Sequence, residues 1–152
     1  MTRRIAVAAQ VAAAVLMLAL FGTPASAQVL PNATTQEVLI KTTLLTFNDA
    51  NLTGNYDVLH AKLWKPFGDK FTPAKLAAAF KAFRDQHLNL QMIAAMKPTS
   101  VGEPTIDNKG FMTLKGYFAT TPSRVNYQLG FILSDGKWQP TGINVNVKKP
   151  GK

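Results

Sequence analysis

The sequence predicts an α+β domain in which three N-terminal helices pack on a mostly antiparallel meander of about four strands. Three observations carry that expectation. Up to residue 87, apolar residues recur three, four and seven apart behind recognisable helix caps. Beyond Val101 they alternate with polar residues. Cysteine is absent, so no disulfide or thiolate site can hold the chain, and its stability comes from core packing. Helices that precede an antiparallel sheet pack against one of its faces.

The first helix is expected from about Thr35 to Leu52. Thr34-x-x-Glu37 reads as a capping box, and Val38, Leu45 and Leu52 recur every seventh residue, with Ile40, Leu44 and Phe47 widening the stripe. Gly54 ends it. A second helix, about Tyr56 to Leu63, carries Leu59 and Leu63 and stops at Pro66-Phe67-Gly68. The third has Thr72 as its cap and Pro73 in its first turn, where a missing N–H costs nothing. Its apolar face runs Leu76, Phe80, Phe83 and on to His87.

Residues 88–97 are ambiguous between strand and short helix, and the pattern leans to a short helix or irregular turn, with Asn89 as a possible cap. Asp107-Asn108-Lys109-Gly110 is a turn, and Phe111 to Thr121 a strand. Arg124 to Leu133 alternates without a break, Asp135-Gly136 closes a tight hairpin, and Lys137 to Val147 returns. Trp138 is out of phase with Ile143, Val145 and Val147, and a bulge near Pro140 and Gly142 would restore the phase.

Residues 1–27 read as a signal peptide: Arg3 and Arg4, an apolar run from Ile5 to Phe21 broken only by Gln10, then Gly22, Pro24 and the cleavage pattern Ala25-Ser26-Ala27. The run is shorter than the about 20 residues of a spanning helix. The expectation is cleavage after Ala27 and a bacterial periplasmic or secreted domain with no transmembrane segment. Residues 28–33 form a flexible leader, 34–148 one α+β domain and 149–152 a basic tail. The part beyond Ala27 carries 15 basic and 8 acidic side chains, a net +7. That charge allows weak contact with anionic surfaces, but its lysines are scattered, as on an ordinary solvated surface. Nucleic acid is not an expected partner of an exported chain.

Several stretches resemble a known superfamily. Leu52-x-Gly54-x-Tyr56-x-x-Leu59, Phe71-x-Pro73 and Phe80-x-x-Phe83 resemble the helical half of nuclear-transport-factor-2-like, cystatin-like domains. Pro104-x-Ile106-Asp107, Gly116-Tyr117-Phe118, Val125-x-Tyr127-x-Leu129, Asp135-Gly136-x-Trp138 and Gly142-Ile143-x-Val145 resemble its sheet, as found in small exported bacterial proteins. The resemblance implies a curved sheet wrapped on a long helix around a cone-shaped cavity. It also implies a choice among isomerases, dehydratases, cyclases and non-catalytic binding or dimerising modules, which the fold does not make.

Enzymes of that superfamily typically place an Asp or His, often with a Tyr, in the cavity. His87, in phase with the apolar face, is the weak catalytic candidate as a general base, against the commoner role of a helix C-terminal His favoured by the dipole. No strand carries Asp or Glu on its apolar phase, and two histidines without repeated spacing make no metal site. No cofactor is expected. The aromatic residues suggest a ligand pocket instead: Trp64, Phe80, Phe83, Phe118, Tyr127 and Trp138 are the candidate ligand-binding residues, with a Tyr hydroxyl as polar handle. A packed core would need the same rings. The leading expectation is a non-catalytic domain that binds a small apolar ligand or a partner and dimerises through its sheet. The rivals are an isomerase- or cyclase-like enzyme using His87 or a Tyr, and a basic envelope-associated protein.

Overall fold

A computed structural model describes residues 28–148, so the expected signal peptide and basic tail lie outside it. Among the described residues, five α-helices and one 3-10 helix precede and cover an antiparallel sheet of five strands, where the sequence pattern predicts three helices and about four strands. No helix among the described residues is long and apolar enough to cross a membrane.

α1 spans Ala33–Thr53. Its cap is Asn32, not Thr34: Asn32 is extended, and its Oδ1 accepts the Thr35 amide at 2.8 Å. Glu37 does not reach back to a cap; it pairs with Lys41 at 2.8 Å. The buried face also differs from the seven-residue repeat. Ile40, Leu44 and Phe47 are buried, whereas Val38 is 52% and Leu52 49% exposed. Positions two apart on a helix point about 200° apart, so the Val38 and Ile40 lines cannot both face the sheet. The line with Phe47 wins because an aromatic ring removes the most area from water. Thr43, Thr46, Asn48 and Asn51 are buried beside it, which blurs the apolar stripe in the sequence.

The second predicted helix is α2 (Asp57–Lys62), and a further helical turn, α3 (Lys65–Gly68), forms where the sequence pattern predicts only its stop. Pro66 lies in the first turn of α3, where proline is tolerated. The His60 Nε2–H donates to the Gly68 carbonyl at 3.0 Å and ties the two turns together. The third predicted helix breaks at Phe80 into α4 (Pro73–Ala79) and α5 (Lys81–Asp85). Thr72 caps α4 by accepting the Lys75 amide. Across the break, Arg84 Nη1 donates to the Ala77 carbonyl at 2.5 Å and to Tyr56 Oη at 2.9 Å. Tyr56 in turn donates to Asn51 Oδ1 at 2.7 Å, which joins the break to α1. In the ambiguous segment, Gln91–Ala95 forms the 3-10 helix, and the Leu90 amide donates to buried Asn48 Oδ1 at 2.7 Å.

The strands are β1 (Thr99–Ser100), β2 (Thr105–Ile106), β3 (Phe111–Phe118), β4 (Arg124–Ser134) and β5 (Lys137–Lys148). The three long ones form a meander, and both short ones pair with the far side of β3, which makes β5 an edge strand. Asp107 Oδ1 accepts the Lys109 and Phe111 amides and starts β3. Asp135 and Gly136 both have positive φ, the conformation a two-residue hairpin needs. The register between β4 and β5 slips between Gly130 and Phe131, leaving Thr141 as the extra residue. That bulge places Trp138 and Pro140 in the core phase with Phe131, while Ile143, Val145 and Val147 keep theirs. Met112, Leu114, Phe118, Val125, Tyr127, Leu129 and Phe131 face α1 and form the centre of the core.

Candidate functional site

A trench lies between α3, α4 and α5 and the sheet, reaching across β4 to β3 at one end and following the free edge of β5 at the other. Its first half is a cavity of about 520 Å³ between Leu63, Phe67, Phe71 and Leu76 on the helical side and Met112, Gly130 and Ile143 on the sheet. Its second half, about 470 Å³, lies between Phe83 and Leu88 and the successive residues Ile143 to Val147. Ala79, Phe80, Ile143 and Asn144 border both halves. Side chains alternate across a strand, so a space bordered by five successive residues lies on the strand's edge rather than on one face.

Local structure explains the opening. The break at Phe80 turns α5 away from the line of α4, so the second wall diverges from the strand. Gly130 and Gly142 face each other across β4 and β5, and neither contributes a side chain to the floor. The polar side chains are neutral: Thr113, Gln128, Thr141 and Asn144 in the first half, Gln86, Asn144 and Asn146 in the second. No residue bordering either half is charged or titratable.

Of the six predicted ligand-binding aromatics, only Phe80 and Phe83 border the trench. Both also touch Phe47 edge-on, at 4.8 and 4.9 Å. Phe118 and Tyr127 are buried against each other in the core over β3 and β4, because they sit on central strands covered by α1. The Tyr127 ring lies over Gly116, where any Cβ would collide with it and with the Thr99 carbonyl. Burial pushes the Tyr127 phenol up to about 12, and its hydroxyl has no hydrogen-bond partner among the described residues. Trp64 stands edge-on to Phe111 at 5.8 Å and gives its amide to the Pro140 carbonyl. Trp138 borders a separate space of about 370 Å³ with Leu39, Thr43 and Lys62.

His87 does not face a cavity. The chain leaves α5 before reaching it, its φ is +50°, and its side chain is exposed. The other tyrosines are also engaged elsewhere: Tyr56 with Asn51 and Arg84, Tyr117 beneath the Arg124 guanidinium at 4.4 Å. No cluster of three or more His, Asp or Glu that could hold a metal occurs among the described residues.

The residues that sequence reasoning missed are Leu63, Phe71, Leu76, Phe111, Met112 and Ile143, with the neutral run Gly142 to Val147. One signal was available. The last strand of a meander is an edge, so its flanks border open space rather than another strand. Neither protein-family models, nor curated proteins, nor solved structures give a match to this chain.

Proposed function

We propose that this chain is an exported, non-catalytic domain that binds a small apolar ligand in the trench beside β5. The observation that carries the reading is the lining: a cavity of about 520 Å³ walled by Leu63, Phe67, Phe71, Leu76, Phe80 and Met112, with neutral polar groups and no acid or base. Such walls reward apolar surface at about 25 cal/mol per Å² removed from water. Proton-transfer chemistry would need a titratable group in reach of the ligand. His87 and the tyrosines border neither half, so the enzyme reading has no residue here to carry it.

The order of helices before an antiparallel sheet supports a cone-shaped nuclear-transport-factor-2-like, cystatin-like roll. Arg3, Arg4, the apolar run and Ala25-Ser26-Ala27 support export to the periplasm or beyond. The outer face of the sheet mixes Lys115, Arg124, Asn126, Gln128, Asn144 and Asn146 with Phe111, Tyr117 and Ile132, so a homodimer through that face would bury charge and amides along with its few apolar groups. Envelope contact rests on net charge alone, and Lys41, Lys65 and Lys81 are already paired with carboxylates four residues away.

Titration with Nile red, a neutral apolar dye, tests the reading. Saturable binding is expected, and Ala79→Phe is expected to weaken it about tenfold, because Ala79 is an exposed helix residue that borders both halves. No saturable binding, or binding indifferent to Ala79→Phe in a variant of unchanged stability, contradicts it.

A further inference from the structure

The net charge of the chain points to anionic partners, but the trench points the other way. We infer that the trench takes an uncharged single-chain amphiphile, with its alkyl chain between Phe67, Phe71, Leu76 and Met112 and a hydroxyl or amide head on the open edge of β5; the inference rests on the apolar-ligand reading above. The two halves differ in kind. The first is walled mainly by hydrocarbon. The second runs beside the strand edge, where polar groups are at hand.

The edge is the source of that polarity. β5 pairs only with β4, and Trp64 to Pro140 is the one backbone hydrogen bond to its outer side among the described residues. Beyond the bulge, Gly142 to Val147 therefore presents N–H donors and C=O acceptors over about 20 Å. Asn144, Asn146 and Gln86 add amides, which also donate and accept. A hydroxyl or an amide matches groups of both kinds. A carboxylate accepts only, and burying it without a cation is costly. Of the lysines on α4 and α5, Lys81 pairs with Asp85 at 2.6 Å and Lys75 with the Lys70 carbonyl at 3.1 Å. An ammonium head would find no carboxylate in either lining.

Calorimetric titration with monolauroylglycerol, laurate and dodecylammonium, which have alkyl chains of similar length, separates the possibilities below micelle-forming concentrations. Monolauroylglycerol is expected to bind at least about tenfold more tightly than either ion. Asn144→Lys, at an exposed position bordering both halves, is expected to raise laurate affinity and reverse the order. Laurate binding the unaltered protein as tightly as monolauroylglycerol overturns this inference while leaving an apolar ligand in place. Laurate affinity unmoved by Asn144→Lys overturns the placement of the head. Failure of all three to bind overturns the apolar-ligand reading and this inference with it.

Discussion

The two sides of the sheet's core use the same residue types to opposite effect. Over β3 and β4, Phe118, Tyr127, Leu129 and Phe131 close on Leu44 and Phe47 of α1 and are fully or almost fully buried. Along β5, Phe67, Phe71, Phe80 and Phe83 stand apart from Ile143 and its neighbours and leave a trench. Strand position makes the difference. A central strand has neighbours on both sides and a helix above it; an edge strand has one neighbour, and here the helix beside it is broken. A ring on a central strand contributes to stability, whereas a ring beside the edge can contribute to binding.

Four substitutions sharpen or break that comparison. Phe118→Ala is expected to cost the most, about 3–5 kcal/mol in denaturant unfolding, because it opens a void among residues that cannot collapse onto it. Nile red affinity of the protein that remains folded should be unchanged.

Tyr127→Phe comes next, and its effect depends on pH. The folded chain keeps the Tyr127 proton up to about pH 12, whereas an unfolded chain releases it near 10. The folded state therefore holds the extra proton in that window, and stability falls as pH rises through it, by about 2–3 kcal/mol in full. Tyr127→Phe should remove that part of the alkaline loss. Parallel pH–stability curves for the two proteins between pH 10 and 12 would contradict the buried, unpartnered hydroxyl.

Phe71→Ala is the counterpart on the trench side. Phe71 is 38% exposed and rests on Phe67 at 4.6 Å, so a loss of about 1 kcal/mol in stability is expected, with a clear loss of dye affinity. A stability loss like that of Phe118→Ala would erase the contrast. The smallest effect belongs to His87→Gly. A left-handed φ is unfavourable for a side chain with a Cβ, so glycine should leave stability equal or raise it by up to about 1 kcal/mol, with binding unchanged. A loss of binding would return His87 to the site.

Much of the fold was legible where a local rule decides. Thr72 with Pro73, Asp135 with Gly136, and the alternation from Val125 to Leu133 each need only neighbours in sequence. Three features needed tertiary information. The buried face of α1 was chosen between two apolar lines by packing on the sheet, not by the spacing of Val38, Leu45 and Leu52. The break at Phe80 follows no proline or glycine; Arg84, reaching both Ala77 and Tyr56, holds it. The short strands β1 and β2 are two residues each, too brief for periodicity to register, yet by covering the far side of β3 they leave β5 as the open edge. The trench depends on the last two of these, which explains why Phe80 and Phe83 were found and the β5 edge was not.

An amide NMR titration with monolauroylglycerol tests the central claim most directly. The account predicts saturable shifts concentrated on Ala79, Phe80, Phe83 and Gly142 to Val147, with Phe118, Tyr127 and the Val38–Leu52 face of α1 unmoved. Shifts centred on that α1 face, or none at saturating ligand, would contradict it.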